Sequence, residues 1–152
     1  MTSAFPPLVT SAFPPLDRFM PHRPPMRMID AMITHTADEC VCVKTFHRGD
    51  PLVEGDSVTS LVAIELFAQT AAAHFGYSGF VLGGAMTSGA LLGTRKIDLA
   101  VGSFAIETEI VVRVKQLFAI PPAAQFECAL EIGGALVASG TINVAMGAPP
   151  AT

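Results

Sequence analysis

Positive charge is scarce in this sequence, and its few basic residues form no run. Nine lysines and arginines are spread over 152 residues, the net charge is −4 at pH 7, and no basic residue precedes Arg18. A protein that binds nucleic acid needs a basic patch to neutralise phosphates, so the composition argues against a nucleic-acid partner. An amino end without basic residues also lacks the pattern of a signal or transit peptide.

Cysteine is scarce as well, since only Cys40, Cys42 and Cys128 occur. An odd number of cysteines fits a reducing compartment better than a disulfide framework, and no pair has the spacing of metal ligands. We therefore expect three buried free thiols, no metal site and a cytoplasmic protein.

Long uninterrupted apolar runs are also missing. The longest run, Leu61–Gly76, is too short to span a bilayer and contains Glu65 and Gln69, so no membrane span is expected. Charged residues make up only 14% of the chain, whereas hydrophobic residues make up 51%. In a single domain of this length, such an apolar balance indicates association with a second subunit.

The run Thr59–Gly76 (TSLVAIELFAQTAAAHFG) predicts one long helix that is buried on nearly every side. Glu65 and Gln69 are four residues apart and therefore share one face of this helix. Because a buried carboxylate is costly unless it has a partner or a task, the pair indicates either acid–base chemistry or a structural hydrogen bond. The candidates for the amino-terminal cap of the helix are Asp56, Thr59 and Ser60.

Segments of alternating polarity on both sides of this helix predict an antiparallel sheet. The loop Gly76–Gly89 is rich in glycine and should end the helix, and Gly133-Gly134 marks a tight hairpin. Two strands, one buried helix and four more strands give an α+β fold in which the sheet curls around the helix. Ala68 and Ala71–Ala73 would let the sheet backbone approach the helix closely. The predicted strands are Met26–Thr34, Glu39–Phe46, Ala90–Leu99, Phe104–Phe118, Ala124–Ile132 and Ala135–Met146.

The first residues of the chain repeat a seven-residue segment, TSAFPPL, at 2–8 and 10–16. Two copies are too few for a repeat fold, and the Pro-Pro pairs oppose both helix and strand pairing. We expect an extended proline-rich arm over 1–16, a single domain over 17–147 and a loose tail over 148–152.

Three segments of this domain, in this order and spacing, resemble one enzyme family. Met20–Asp30 (MPHRPPMRMID) resembles the entry motif of the FabZ-type 3-hydroxyacyl-carrier-protein dehydratases, and Ile64–Gln69 (IELFAQ) resembles the motif of their central helix. Gln125–Cys128 together with Leu136–Val144 resembles the carboxy-terminal hairpin of a narrower group, the ApeP-like dehydratases of aryl-polyene pigment clusters. The resemblance covers about residues 16–146. It implies the hotdog fold, a curled antiparallel sheet of five to six strands wrapped around one long central helix.

One catalytic residue of the FabZ enzymes has no counterpart in this sequence. Their loop histidine precedes the central helix, and its position falls here on Pro51, within a loop over 48–56 that contains no histidine. ApeP-like sequences share this change and keep the histidine of the entry motif. Three possibilities follow: another histidine acts, a partner subunit supplies one, or this subunit is not catalytic.

The resemblance makes Glu65 and His22 the candidate catalytic residues, and Gln69 would orient one of them. Dehydration of a 3-hydroxyacyl thioester needs a base near C2 and an acid near the C3 oxygen. Histidine suits the base because its ordinary pKa lies near 6.5. A carboxyl group withdrawn from water suits the acid because it keeps its proton near neutral pH. His47, which begins the altered loop, is the alternative base.

Two further groups of residues are candidates for binding. The amino end of the helix should offer free N–H groups to the thioester oxygen, through the residues Gly55, Ser57, Thr59 and Ser60. Arg95 and Lys96 form a positive pair that suits docking of an acidic carrier protein, although strand edges also carry such charges merely for solubility. Of the remaining histidines, His35 in a turn is expected to be solvated, and His74 on the helix is expected at the surface or at a subunit interface.

The activity that the resemblance implies is that of a lyase. It would dehydrate 3-hydroxyacyl thioesters to trans-2-enoyl thioesters in fatty-acid-like or pigment (aryl-polyene) biosynthesis. The substrate would be carried on the phosphopantetheine of an acyl carrier protein, with no other cofactor. The second subunit would be another copy, in a homodimer or larger homo-oligomer, or a paralogous hotdog chain in a hetero-oligomer. The alternatives are an acyl-thioesterase of the same fold, in which Glu65 activates water, and a non-catalytic subunit that completes a hetero-oligomeric dehydratase.

Overall fold

The computed structural model describes residues 13–84 and 88–148. Within these residues the chain forms one α-helix, α1 (Val62–Val81), nine strands and a single 3₁₀ turn (Leu16–Arg18). Residues 1–12 of the expected arm and 149–152 of the expected tail lie outside the described residues. The strands are β1 (Ala31–His35), β2 (Glu39–Thr45), β3 (Val53–Glu54), β4 (Ser57–Thr59), β5 (Ser88–Leu99), β6 (Ser103–Ala105), β7 (Glu109–Ile120), β8 (Ala123–Ile132) and β9 (Ala135–Ala148).

Six of these strands form one antiparallel sheet in the order β1-β2-β7-β8-β9-β5, and β3, β4 and β6 form a small second sheet. Helix α1 packs against β2, β5, β7, β8 and β9 of the large sheet. Alternate residues of β7, among them Ile110, Val112 and Val114, are fully buried, as the period of two in a half-buried strand requires. The α+β fold with one helix wrapped by a six-stranded sheet is confirmed. The three cysteines are free and buried, as predicted.

The helix is longer than predicted and begins later. It starts at Val62, after the N-cap residue Leu61, whose side chain cannot accept a capping hydrogen bond. The prediction that Asp56, Thr59 or Ser60 caps it is therefore wrong.

The helix also continues through Gly76, where it was predicted to end. A Cβ atom at Gly76 would collide with the backbone oxygen of Phe19, so this glycine lets the segment before β1 lie directly on α1. Gly76 therefore allows close packing of another segment on the helix and does not end it. The helix ends at Val81.

Two strand predictions are corrected by tertiary contacts. The first strand begins at Ala31 and not at Met26, because the backbone of Met26 and Met28 bonds to the Gln69 side chain of α1 instead of to a strand. The single strand predicted over 104–118 is divided, since Ser103–Ala105 pairs with β4 and the chain then turns through Glu107 with φ at +59° before β7 begins. The Gly133-Gly134 hairpin is confirmed, with φ values of +59° and +82°.

The second copy of the TSAFPPL repeat contacts the domain in its described part. The ring of Phe13 packs edge-to-face on Tyr77 with 5.3 Å between centroids, and Leu16 is buried. Among the described residues, no helix is long and apolar enough to cross a membrane.

Candidate active site

A cavity of about 360 Å³ lies between α1, the segment that enters β1, and the facing ends of β5 and β9. Glu65, Gln69 and His22, the three predicted catalytic residues, all line it. They reach the cavity from two elements that are more than forty residues apart in sequence. The other lining residues are Pro21, Ala68, Ala71, Ala72, Phe75, Gly89, Ala90, Leu91, Val144 and Ala145.

Gln69 joins the helix to the entry segment through two hydrogen bonds and bonds to Glu65 on its own helix through a third. Its Oε1 accepts from the backbone N–H of Met28 at 2.7 Å, and its Nε2 donates to the backbone oxygen of Met26 at 2.8 Å. The same Nε2 donates to Oε1 of Glu65 at 2.9 Å. Because the amide is only 1% exposed and both its ends are bonded, its orientation is fixed and it holds the Glu65 carboxylate in one place.

Glu65 lies at the mouth of the cavity and is exposed in the single chain. It belongs to the first turn of α1. A carboxylate at such a mouth is removed from water only when a substrate or another subunit covers it.

His22 lines this cavity, and one nitrogen of its ring is enclosed away from the open space. Its Nδ1 is buried and has no hydrogen-bond partner among the described residues, which is costly unless a ligand or another group binds it. The loop around it is held by the Arg23 guanidinium, which donates to the backbone oxygens of Asp17, Met20 and His22. The backbone of this loop is therefore held in place, and His22 lines the same cavity as Glu65 and Gln69.

The residues predicted to bind the thioester oxygen lie outside the lining of this cavity. Gly55 is in the β3–β4 turn, Ser57 and Thr59 are on β4, and Ser60 precedes α1. The N–H of Ser60 donates to the backbone oxygen of Gly102, and the three N–H groups of Leu61, Ala63 and Ile64 also donate within the chain. The amino end of α1 is thus largely occupied by internal hydrogen bonds, and the role of these four residues stays a prediction.

Arg95 and Lys96 are exposed on β5, the strand at one edge of the large sheet. Lys96 forms an exposed ion pair with Asp98 at 3.7 Å, a contact of little net stability. Lys96 also lines a second cavity, of about 520 Å³, that runs across the large sheet. Their role in docking a carrier protein remains a prediction.

The alternative base, His47, is in a different place from the cavity. Its Nδ1 lies 2.9 Å from both carboxylate oxygens of Glu107, and both side chains are more than half exposed. The carboxylate of Glu107 raises the pKa of His47 above its ordinary value, first through this hydrogen bond and then through its charge. His47 is not among the residues that line the cavity.

The other two histidines are not at the surface, contrary to the prediction. His74 is 2% exposed, and its ring stacks on that of His35 with 4.8 Å between centroids. Burial, and to a smaller extent the charge of His35, lowers the pKa of His74 to about 4. His35 is half-buried, and its Nε2 lies 3.1 Å from Oγ of Ser78. Sequence alone does not place the β1–β2 turn over the second half of the helix, which is why this pair was missed.

Sequence reasoning also missed the small and aromatic residues of the cavity wall. Ala68, Ala71 and Ala72 were expected to let the sheet approach the helix, but they line the open space instead. The signal was present in the sequence, since Glu65, Ala68 and Ala72 follow the spacing of one helical face.

A curled antiparallel sheet around one helix, with a carboxylate from that helix at the mouth of a largely apolar cavity, is the architecture of a hotdog protein. The model of the ApeP-like family, described as ApeP dehydratase, matches residues 14–151. The chain belongs to this dehydratase family. Among curated proteins, none matches the sequence.

Solved structures with the same fold include a dehydratase complex. The dehydratase heterocomplex ApeI:P from Xenorhabdus doucetiae has a TM-score of 0.85 at 23% identity, covering 90% of this chain and 93% of that one. The HP0420-homologue from Helicobacter felis has a TM-score of 0.67 at 14% identity, with coverage of 91% and 93%. A hypothetical thioesterase with coenzyme A from Streptococcus pneumoniae TIGR4 has a TM-score of 0.60 at 10% identity, with coverage of 78% and 86%. At these identities the likeness establishes the fold alone.

Proposed function

We propose that this chain dehydrates 3-hydroxyacyl thioesters on an acyl carrier protein to trans-2-enoyl thioesters, together with a second, paralogous hotdog subunit. The observation that carries the proposal is the meeting of Glu65, Gln69 and His22 at one cavity of about 360 Å³. Membership of a dehydratase family gives the class of reaction. The pathway would be fatty-acid-like or pigment (aryl-polyene) synthesis.

The reaction needs two proton transfers in one enclosed space. A base removes a proton from C2, the C2–C3 double bond forms, and the C3 hydroxyl takes a proton from an acid and leaves as water. His22 suits the first step because it lines the same cavity as Glu65. Glu65 suits the second step because Gln69 holds its carboxyl group at the mouth, where a C3 hydroxyl would enter.

Two features support a second subunit that completes the site. Glu65 is exposed in the single chain, whereas proton transfer to a leaving hydroxyl is most efficient with water excluded. The altered loop has Pro51 at the position of the missing histidine, so a partner that brings its own loop histidine would supply what this chain lacks. One solved structure of similar fold is described as a dehydratase heterocomplex, ApeI:P.

The test is a reconstitution with three separable products. The purified chain, alone and mixed with a paralogous hotdog subunit from the same genome, is incubated with 3-hydroxyacyl and with plain acyl thioesters of the carrier protein. We expect enoyl product from the mixture. Enoyl product from the chain alone would assign both catalytic groups to this chain, and absence of enoyl product from chain and mixture alike would refute the proposal.

Thioester hydrolysis is the second candidate, and the exposure of Glu65 favours it. A carboxylate that is open to water at the mouth of an acyl cavity is a suitable base for activating a water molecule. In the same incubation this activity releases free thiol from the plain acyl thioester, with no enoyl product.

A further inference from the structure

The cavity has one polar end and one apolar end. Glu65, Gln69 and His22 form the polar end, and on the helix the lining continues through Ala72 to Phe75. Ten residues separate Glu65 from Phe75, which corresponds to about 15 Å along α1 at 1.5 Å per residue. The space is therefore a groove that follows the helix from its first turn, and none of its described lining residues beyond the polar end is charged.

Small side chains keep this groove open along its length. On the helix side the walls are Ala68, Ala71 and Ala72, and on the strand side they include Gly89 and Ala90. At Gly89 an added Cβ would lie 2.8 Å from the backbone oxygen of Ala145, so this strand position does not accept a side chain without a shift of the backbone. These parts of the wall are thus formed by backbone and methyl groups, and Leu91 and Val144 are the larger aliphatic side chains of the strand side.

Phe75 is the one aromatic residue among the lining residues. Its ring packs edge-to-face on the fully buried Phe126, with 5.3 Å between centroids, and against His74 at 5.6 Å. Neighbours on these two sides fix the ring, because core side chains are packed at crystal-like density and do not swing freely. A linear ligand that enters at Glu65 and follows the helix meets this ring at the far end.

We propose that Phe75 limits the length of the acyl chain that the groove accepts, and that Ala72 keeps the path to it open. This inference rests on the proposed function, which gives the groove an acyl thioester as its occupant. The polar end would hold the thioester and C3, and the remaining chain would lie against the alanine wall until it reaches Phe75. Each added methylene group should tighten binding about fourfold, the worth of one buried methylene, until the chain end contacts the ring.

The test is a binding series that requires no turnover. Dissociation constants of S-acyl pantetheine thioesters of increasing saturated chain length are measured by calorimetry for the full chain and for two variants. In the parent chain we expect the constant to fall about fourfold per methylene and then to level off at one length. Phe75→Ala should move this limit to longer chains, and Ala72→Leu should move it to shorter ones.

Phe118→Ala is the matched control, because it makes the same change at a half-exposed position of β7 that does not line the groove. The Phe118→Ala variant should show the same limit of acyl-chain length as the parent chain. Since Phe75→Ala removes a contact with Phe126 and risks unfolding, Ala72→Leu tests the same claim in the opposite direction. An unchanged limit in Ala72→Leu, or an equal shift in Phe118→Ala, would overturn the inference. Because this test measures binding alone, a shift of the chain-length limit would remain valid even if the dehydration assay failed. Equally, an unchanged limit would not affect the result of the dehydration assay.

Discussion

At the scale of single residues, Gln69 connects fold and chemistry. Its amide bonds both to the backbone before β1 and to the Glu65 carboxylate. The same side chain thus closes the sheet's entry segment onto the helix and orients the candidate acid. Replacing it should affect stability and activity together.

Gln69→Leu keeps the size of the side chain but removes all three hydrogen bonds. It leaves the N–H of Met28 and the C=O of Met26 without their partner in a partly buried place, which costs about 3 kcal/mol. In a domain of this size the melting temperature should fall by about 10 °C, as measured by circular dichroism. Gln125→Leu is the control, because Gln125 forms a single side-chain bond with Asn143 and should cost about 1 kcal/mol. Equal losses in both variants would contradict the account of Gln69.

The stacked pair of His35 and His74 predicts a loss of stability in acid. The pKa of His74 is lowered to about 4, first by burial and then by the charge of His35, and burial lowers the pKa of His35 as well. The unfolded chain binds these protons near pH 6.5. The contribution of His74 is therefore full above pH 6.5 and is lost as the pH falls towards 4, by about 3 kcal/mol at most.

Urea unfolding between pH 7 and pH 4 measures this dependence. In His74→Phe the free energy of unfolding should depend less steeply on pH, since phenylalanine fills the same stacked position without titrating. His47→Gln, at an exposed histidine in another part of the molecule, should not flatten this dependence, because the raised pKa of His47 favours the folded state in acid and its removal can only steepen the loss. A parent slope that persists in His74→Phe would show that other groups cause the loss.

At the scale of elements, α1 shows why glycine has to be judged by its neighbours. Gly76 touches the backbone of Phe19, whereas Gly79 has no neighbour within 4 Å of an added Cβ. Both lie in the same helix. Substituting alanine at each position therefore separates two effects: steric packing at Gly76 and helix propensity at Gly79.

Gly76→Ala should destabilise the domain by several kcal/mol, because the new methyl group forces the Phe19 segment away from the helix. Gly79→Ala should be neutral or stabilise by up to about 1 kcal/mol, the difference in helix propensity. Thermal unfolding of the two variants side by side is the measurement. A stable Gly76→Ala protein would mean that the entry segment does not lie on the helix.

The same helix shows how far the sequence predicts this structure. The pairing of Glu65 and Gln69 on one face was predictable, because spacing in a helix is a local property. The end of the helix was not, since Gly76 is explained by a contact with Phe19, fifty-seven positions away in sequence. The position of His22 at the cavity came from its motif, but the alanine wall and Phe75 depend on where β5 and β9 end. Local pattern thus predicted the elements and the polar residues, and tertiary packing decided their boundaries and the shape of the cavity.

At the scale of the whole molecule, the edge strand β5 indicates association. In the described part of the chain it pairs only with β9, and Leu91 and Leu92 on it are 39% and 62% exposed. An exposed apolar strand at a sheet edge is a ready template for pairing with another strand. The second subunit that the proposed function requires would therefore join at this edge.

Light scattering at micromolar concentration should give a mass of at least two chains for the purified protein or its mixture with the paralogous subunit. Leu92→Lys should shift this mass towards that of the single chain, because a charge at an edge blocks strand pairing. Leu136→Lys is the control, since Leu136 is comparably exposed, at 57%, on a strand that is not at the edge. A monomeric parent under all conditions would count against the proposed interface.

The candidate base is tested by His22→Ala in the active protein or complex. A positioned general base contributes about a hundredfold or more to turnover, so we expect kcat to fall by at least this factor while the fold is kept. Full activity in this variant would make His22 structural, and the base would then lie in His47 or in the partner subunit.

The central claim is that Glu65 supplies the acid for dehydration, and Glu65→Gln tests it most directly. The amide occupies the same space beside Gln69 but cannot exchange a proton, so formation of enoyl thioester by the reconstituted enzyme should fall to background while circular dichroism shows an unchanged fold. Glu109→Gln, at an exposed position at the start of β7 outside the cavity, should retain the parent rate. Dehydration by Glu65→Gln at the parent rate would contradict the account.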